Sequence, residues 1–167
     1  MKAGKSLYNF LYMVIVSAFG YYVLKDQYYM PTFLGGSGDY LLCYKEAPYP
    51  KHAPFLKEYY LIVTGYHLSQ IMIHVTGTQK NDFIEMLLHD SATMCLMISS
   101  YIFNSWECGA IISFLHNISD IFGHLSRVFS QTRYEKLTLM TFLSHVVTWV
   151  LSRNIVLPIL IYELWLI

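Results

Sequence analysis

The sequence predicts an all-α protein, a polytopic transmembrane bundle of about five membrane helices, and three observations carry that prediction. Apolar residues make up 55% of the 167 and charged residues only 13%, at a mean hydropathy of +0.40, whereas soluble domains carry about 25% charged residues. Five apolar stretches approach the roughly 20 residues that a helix needs to cross a bilayer. All but one of the connections between them are short, which makes successive helices antiparallel neighbours.

The first stretch, residues 7–24, follows Lys2 and Lys5 and ends near the small residues Ala18 and Gly20, a pattern that imitates a signal peptide. It is read here as a retained first membrane helix. Residues 25–58 form the one long polar connection, broken by the glycines at 35, 36 and 38 and by Pro48, Pro50 and Pro54. Its aromatic residues, among them Tyr28, Tyr29, Phe33, Tyr40, Tyr44 and Tyr49, set it apart from an aromatic-poor disordered linker and place it along the membrane interface. The stretches 59–77, 83–103 and 109–130 follow with short turns. The last, 137–167, exceeds one simple crossing at about 1.5 Å per residue, and Pro158 inside it removes a backbone donor, so a kinked or tilted final helix is expected. No repeat divides the chain, and residues 1–167 read as a single domain.

The formal net charge is zero without a Lys/Arg cluster, which removes the electrostatic footprint a nucleic-acid partner requires. Five crossings put Lys2, Lys5, Lys80, Arg127, Arg133 and Lys136 on one side and Lys25, Lys45, Lys51 and Lys57 on the other. That bias puts the amino terminus in the cytoplasm, or in the matrix for a mitochondrial protein. Cys43, Cys95 and Cys108 form no CxxC pair. Cys43 and Cys108 fall on one side, which permits a disulfide in an oxidising compartment, although two ordinary thiols are the simpler expectation.

Polar side chains interrupt the third and fourth stretches at helical spacing. Glu85, His89 and Thr93 recur every four residues, with Asp90 beside them; His116, Ser119, Asp120 and Gly123 recur at three and four, with Asn117 and His124 adjacent. Ionisable groups cost roughly 2.5–3.5 kcal/mol each at a bilayer centre, so they are kept where they face a cavity, a partner or a ligand. Two such stripes facing each other would enclose a small polar chamber. His67, Gln70 and His74 share a face of the second helix and, with His145, raise a metal alternative, but no ligand spacing supports it and no metal is expected. Tyr21, Tyr22, Tyr28, Tyr29, Tyr59, Tyr60 and Trp106 read as an interfacial belt. Arg153 needs an anionic partner deep in the last helix: Asp120, Glu163 or a lipid phosphate.

The run Asp82-Phe83-Ile84-Glu85-Met86-Leu87-Leu88-His89, followed by Thr93, Ser99, Tyr101, Gly109 and Leu115-His116-Asn117-Ile118-Ser119-Asp120, resembles the Lag1 motif of ceramide synthases, in the TLC (TRAM, LAG1, CLN8) superfamily. The resemblance implies a helix bundle around a chamber in which an acyl-CoA donates its acyl group to a sphingoid-base amine. It also implies that a His-His pair and a His-Asp pair handle the nucleophile and protons, and that the membrane is the endoplasmic reticulum. His89 matches the first histidine of one pair, His116 that of the other, and Ser119 and Asp120 the following Ser-Asp. Asp90 stands where the second histidine belongs, and Asn117 where an aspartate belongs. The family also continues with a further membrane helix past the segment matching residues 149–167.

From these departures the expectation is a TLC-type domain with a degenerate motif, in which His89, His116, Ser119 and Asp120 are vestigial catalytic candidates and Glu85, Thr93 and Arg153 contact lipid. It would serve as a non-catalytic accessory subunit of a larger membrane complex, contacting lipids and other subunits, one of them near residues 149–167. The membrane would be the mitochondrial inner membrane or the endoplasmic reticulum. No cofactor is expected. The alternative is a sphingoid-base N-acyltransferase with acyl-CoA as substrate.

Overall fold

A computed structural model describes residues 2–30, 32, 36, 38, 52–77, 83–159 and 162. Five long α-helices account for most of them: α1 (Lys2–Leu24), α2 (Leu56–Thr76), α3 (Phe83–Ile102), α4 (Trp106–Phe129) and α5 (Glu135–Val150), the last continued by a π-helical turn, Leu151–Val156. The protein is an all-α membrane helical protein. Two helices, Gly4–Leu24 and Glu135–Ile159, are long and apolar enough to cross a bilayer by themselves. The 21, 20 and 24 residues of α2, α3 and α4 give the same reach, but their polar side chains require shelter within the bundle.

Helix α4 is the axis. It packs against α1, α2, α3, α5 and the π turn, whereas α5 touches only α4 and its own continuation closely. The apolar core lies where α1, α2 and α4 meet, around Val16, Leu24, Leu56, Tyr59, Tyr60, Val63, Ala110, Ile111 and Phe114. No residue of α5 is buried, and its Met140, Phe142, Leu143 and Val147 face outward, the pattern of a helix whose solvent is lipid.

The aromatic belt holds only in part. Tyr21 and Tyr22 are exposed, but Tyr29, Tyr59 and Tyr60 are core residues within 2% of complete burial. Their burial follows from the small residues opposite. A Cβ at Gly20 would sit 2.7 Å from the Tyr59 ring, and one at Gly109 would sit 2.6 Å from the Ser100 hydroxyl and 2.9 Å from the Tyr60 ring. The phenols of Tyr59 and Tyr60 are satisfied: Tyr60 donates to the Met97 carbonyl at 2.6 Å, and Tyr59 accepts the Asn117 amide at 3.5 Å.

At the end of the long connection, His52 latches onto α4. Its Nδ1 lies 2.7 Å from Glu107 Oε1 and its Nε2 3.1 Å from Asn104 Oδ1, while its ring stacks on Trp106 at 4.3 Å, and Trp106 on Tyr101 at 5.0 Å. Asn104 takes the left-handed conformation (φ 55°) that closes the three-residue turn between α3 and α4. The expected kink at Pro158 takes the form of the π turn before it, which widens the helix where the proline cannot donate. Cys43, Glu163, Gly35 and Ser37 lie outside the described residues, and with them the Cys43–Cys108 pairing.

Because the Tyr59 ring is sealed on all sides, Gly20→Ala should destabilise the protein by about 1–3 kcal/mol through overpacking. Gly65→Ala, mid-helix with nothing within 4 Å, should be neutral or stabilising by up to about 1 kcal/mol. Thermal unfolding of the two variants in detergent checks the contrast; equal Tm values would contradict the close α1–α2 approach.

Candidate functional site

Helix α4 carries two faces with different solvents. Ala110, Ile111, Phe114 and Asn117 turn into the dry core, and His116, Ser119 and Asp120 lie toward the π turn and α3. Asn117, at the position of the motif's aspartate, is 3% exposed and hydrogen-bonds Tyr59, so a carboxylate there would be a buried charge in the apolar core.

The polar face is built around one ion pair. Arg153 Nη2 lies 3.5 Å from Asp120 Oδ1, and the guanidinium stands over the Trp149 ring at 5.6 Å. Of the partners the sequence allowed for Arg153, Asp120 is the one the described residues supply. Ser119, fully buried, donates to the His116 carbonyl at 2.8 Å and lies 3.4 Å from Asp120 Oδ1. His145 Nδ1 donates to the Ser119 carbonyl at 3.0 Å, which joins α5 to the same turn.

His116 Nδ1 lies 2.7 Å from the Ile112 carbonyl. A carbonyl only accepts, so Nδ1 carries the proton and Nε2 is left as the ring's proton acceptor. His116 is within electrostatic reach of Arg153, Asp120 and His89, and His67 on α2 is within reach of Asp90, Asp120 and His89. His116 and Asp120 of α4 thus share one polar region with Arg153 of the π turn, whereas His89 on α3 is exposed.

The third helix is turned differently from the expectation. Glu85 and His89 are exposed and Thr93 is half-buried, its hydroxyl donating to the His89 carbonyl within the helix. The inward residues are Asp90 and Met97, seven apart, because this line of α3 is the one that meets α2. Asp90 Oδ2 receives a 2.7 Å hydrogen bond from His74 Nδ1 on α2. Spacing along the chain groups His74 with His67 and Gln70 on one helix face; its partnership with Asp90 joins two different helices and is not legible from spacing. Among the described residues no group of three or more His, Cys, Asp or Glu side chains converges as a metal site.

A cavity of about 720 Å³ opens beside this region between α4 and α5, lined by Gly123, Arg127, Glu135, Leu139, Phe142 and His145, among others. His145 separates it from Ser119, and a Cβ at Gly123 would approach the His145 ring to 3.0 Å. The cavity thus reaches the lower edge of the polar region without being the region itself.

The fold and these side chains define an α-helical membrane protein that carries imidazoles and an Asp–Arg pair between its helices. The chain belongs to the TLC domain family (TRAM, LAG1, CLN8), whose domain matches residues 2–166. It is 28% identical to ceramide synthase LOH2 of Arabidopsis thaliana over 159 residues, which are 95% of this chain and 51% of that protein. It is 27% identical to sphingosine N-acyltransferase lag1 of Schizosaccharomyces pombe over 147 residues (88% and 36%) and 23% identical to ceramide synthase 5 of Homo sapiens over 166 residues (99% and 39%). The chain spans about half or less of the length of these relatives. No solved structure matches it.

Removing the carboxylate from the central pair should cost more than removing both charges. Asp120→Asn, which leaves Arg153 without its anion, should destabilise the protein by about 1–3 kcal/mol, and Asp120→Asn combined with Arg153→Met should recover part of that. Denaturation of the two single variants and the double variant measures the coupling; additive losses would mean that the pair contributes nothing.

Proposed function

We propose that this TLC-domain membrane protein is a ceramide synthase-like N-acyltransferase of the endoplasmic reticulum membrane, joining a fatty acyl group from acyl-CoA to the amine of a sphingoid base. The observation that carries the proposal is the state of His116. Its Nδ1 is held by the Ile112 carbonyl, so Nε2 is poised as a base, next to the Asp120–Arg153 pair and within electrostatic reach of His89.

Amide formation from a thioester needs such a group. The amine nitrogen attacks the acyl carbon, the C–N bond forms, the C–S bond breaks, and the nitrogen sheds a proton; imidazole titrates near neutrality and can take it. His116 is assigned that role, His89 hands the proton to the departing thiolate, and Ser119 with Asp120 fixes the turn that carries His116. Glu85 and Thr93, on the outer side of α3, fit contact with the lipid chains that enter.

A second reading keeps the bundle and drops the chemistry: a lipid-contacting accessory subunit. What favours it is the exposure of His89 together with the wholly unburied α5, a surface that suits a neighbouring membrane protein near residues 149–159. Incubating the purified protein in lipid with a sphingoid base and long-chain acyl-CoA separates the two. The proposal expects amide product, reduced about 10²–10⁴-fold by His116→Ala with folding retained. No product from a folded protein, or product indifferent to His116→Ala, would remove the proposed mechanism.

A further inference from the structure

Acyl transfer to a long-chain amine has a proton balance that a closed apolar chamber cannot ignore. An alkyl amine is protonated at neutral pH, as lysine is with its pKa of about 10.4. The overall change is therefore ammonium plus thioester to amide plus thiol plus one proton. The thiolate keeps one of the two protons that the nitrogen loses, and the other has to leave the bilayer interior in every turnover.

From this balance, and resting on the acyl-transfer reading above, we propose that the Asp90–His74 pair is the proton exit of the chamber. Asp90 is the one buried carboxylate of α3, 7% exposed. Its Oδ2 meets His74 Nδ1 at 2.7 Å, which directs Nε2 of the same ring as the atom that passes a proton on. His74 belongs to the last turn of α2, two residues before the helix ends at Thr76, and its side chain is 28% exposed. One partner is thus sealed inside and the other reaches the end of the bundle that the positive charges of Lys2, Lys5, Arg127 and Arg133 mark.

His67 forms the inner end of the path. Asp90 interacts electrostatically with His67, two turns before His74 on the same helix, and His67 in turn with Asp120 and His89. His67 from α2 is therefore the group coupled to Asp90, and through His67 the pair is linked to His89 of α3 and Asp120 of α4. A proton taken from the amine by the chamber imidazoles and delivered to the Asp90 carboxylate crosses the 2.7 Å contact to His74 Nδ1 when the ring is in its Nε2–H tautomer, the Asp90 O–H bond breaking as the Nδ1–H bond forms; the imidazolium then releases its Nε2 proton to water, which leaves Nδ1–H donating to Asp90, and exchange with water returns the ring to the Nε2–H form. His74 supplies the surface-reaching acceptor beside the buried carboxylate.

The test uses the full chain in lipid, with a sphingoid base and long-chain acyl-CoA at saturation and weakly buffered medium. His74→Gln keeps an amide donor for Asp90 but carries no proton; it should lower turnover about 10- to 100-fold with KM and Tm near those of the native protein. His74→Ala should lose as much and regain activity when free imidazole is added, a rescue that a purely structural histidine would not show. Native-like turnover in His74→Gln, or a loss in folded His74→Ala that imidazole leaves untouched, overturns the exit while the acyltransferase reading stands. A native protein without turnover overturns both.

Discussion

A carboxylate inside a helical bundle in lipid must find its counter-charge within the bundle, and Asp120 finds Arg153. Most of the remaining structure follows from that requirement. Arg153 can reach Asp120 because the π turn Leu151–Val156 shifts the side chain's register ahead of Pro158, and it stays there because α5 is fastened to α4 by His145 and the Ser119 carbonyl. The backbone irregularity is thus part of the electrostatics.

The opposite face of α4 solves the complementary problem of packing without polarity. Large phenols fill the space between α1, α2 and α4, and the glycines at 20 and 109 are what allow them to. Small-against-large packing of this kind is how helices approach closely when lipid removes the hydrophobic drive between them. The two faces depend on each other: because the Tyr59 side is dry and rigid, His116 and Ser119 on the far side of the same helix are held in fixed positions.

The fold was legible because its signal is composition and length, which act locally; the first four helices lie within a few residues of their apolar stretches, and the fifth begins within two residues of its own, whose end falls outside the described residues. The site was legible only along single helices. His116, Ser119 and Asp120 share a turn, and their order along the chain is enough to group them. On α3 the periodicity of Glu85, His89 and Thr93 pointed to an inward stripe, yet the helix buries Asp90 instead, since the rotation is decided by what α2 offers opposite it. A buried acid with a histidine 16 residues away across a turn is a tertiary fact. The same holds for His52 and Glu107, 55 residues apart. Likewise, amphipathic tyrosines look identical in sequence whether they serve a membrane interface or a core.

The two substitutions in the motif become intelligible together. Measured against the ceramide synthase pattern, the chain loses a carboxylate at 117 and gains one at 90, and it loses an imidazole at 90. In this bundle position 117 belongs to the dry core, where an amide bonded to Tyr59 is tolerable and an anion is not. Position 90 faces α2, where a histidine waits at 2.7 Å. The number of acids is unchanged, and the imidazole missing from α3 is supplied by α2. Asp90 has a partner in His74, and Asn117 is a neutral side chain suited to its surroundings; on the proposed acyl-transfer reading, the altered motif is a rearranged proton path.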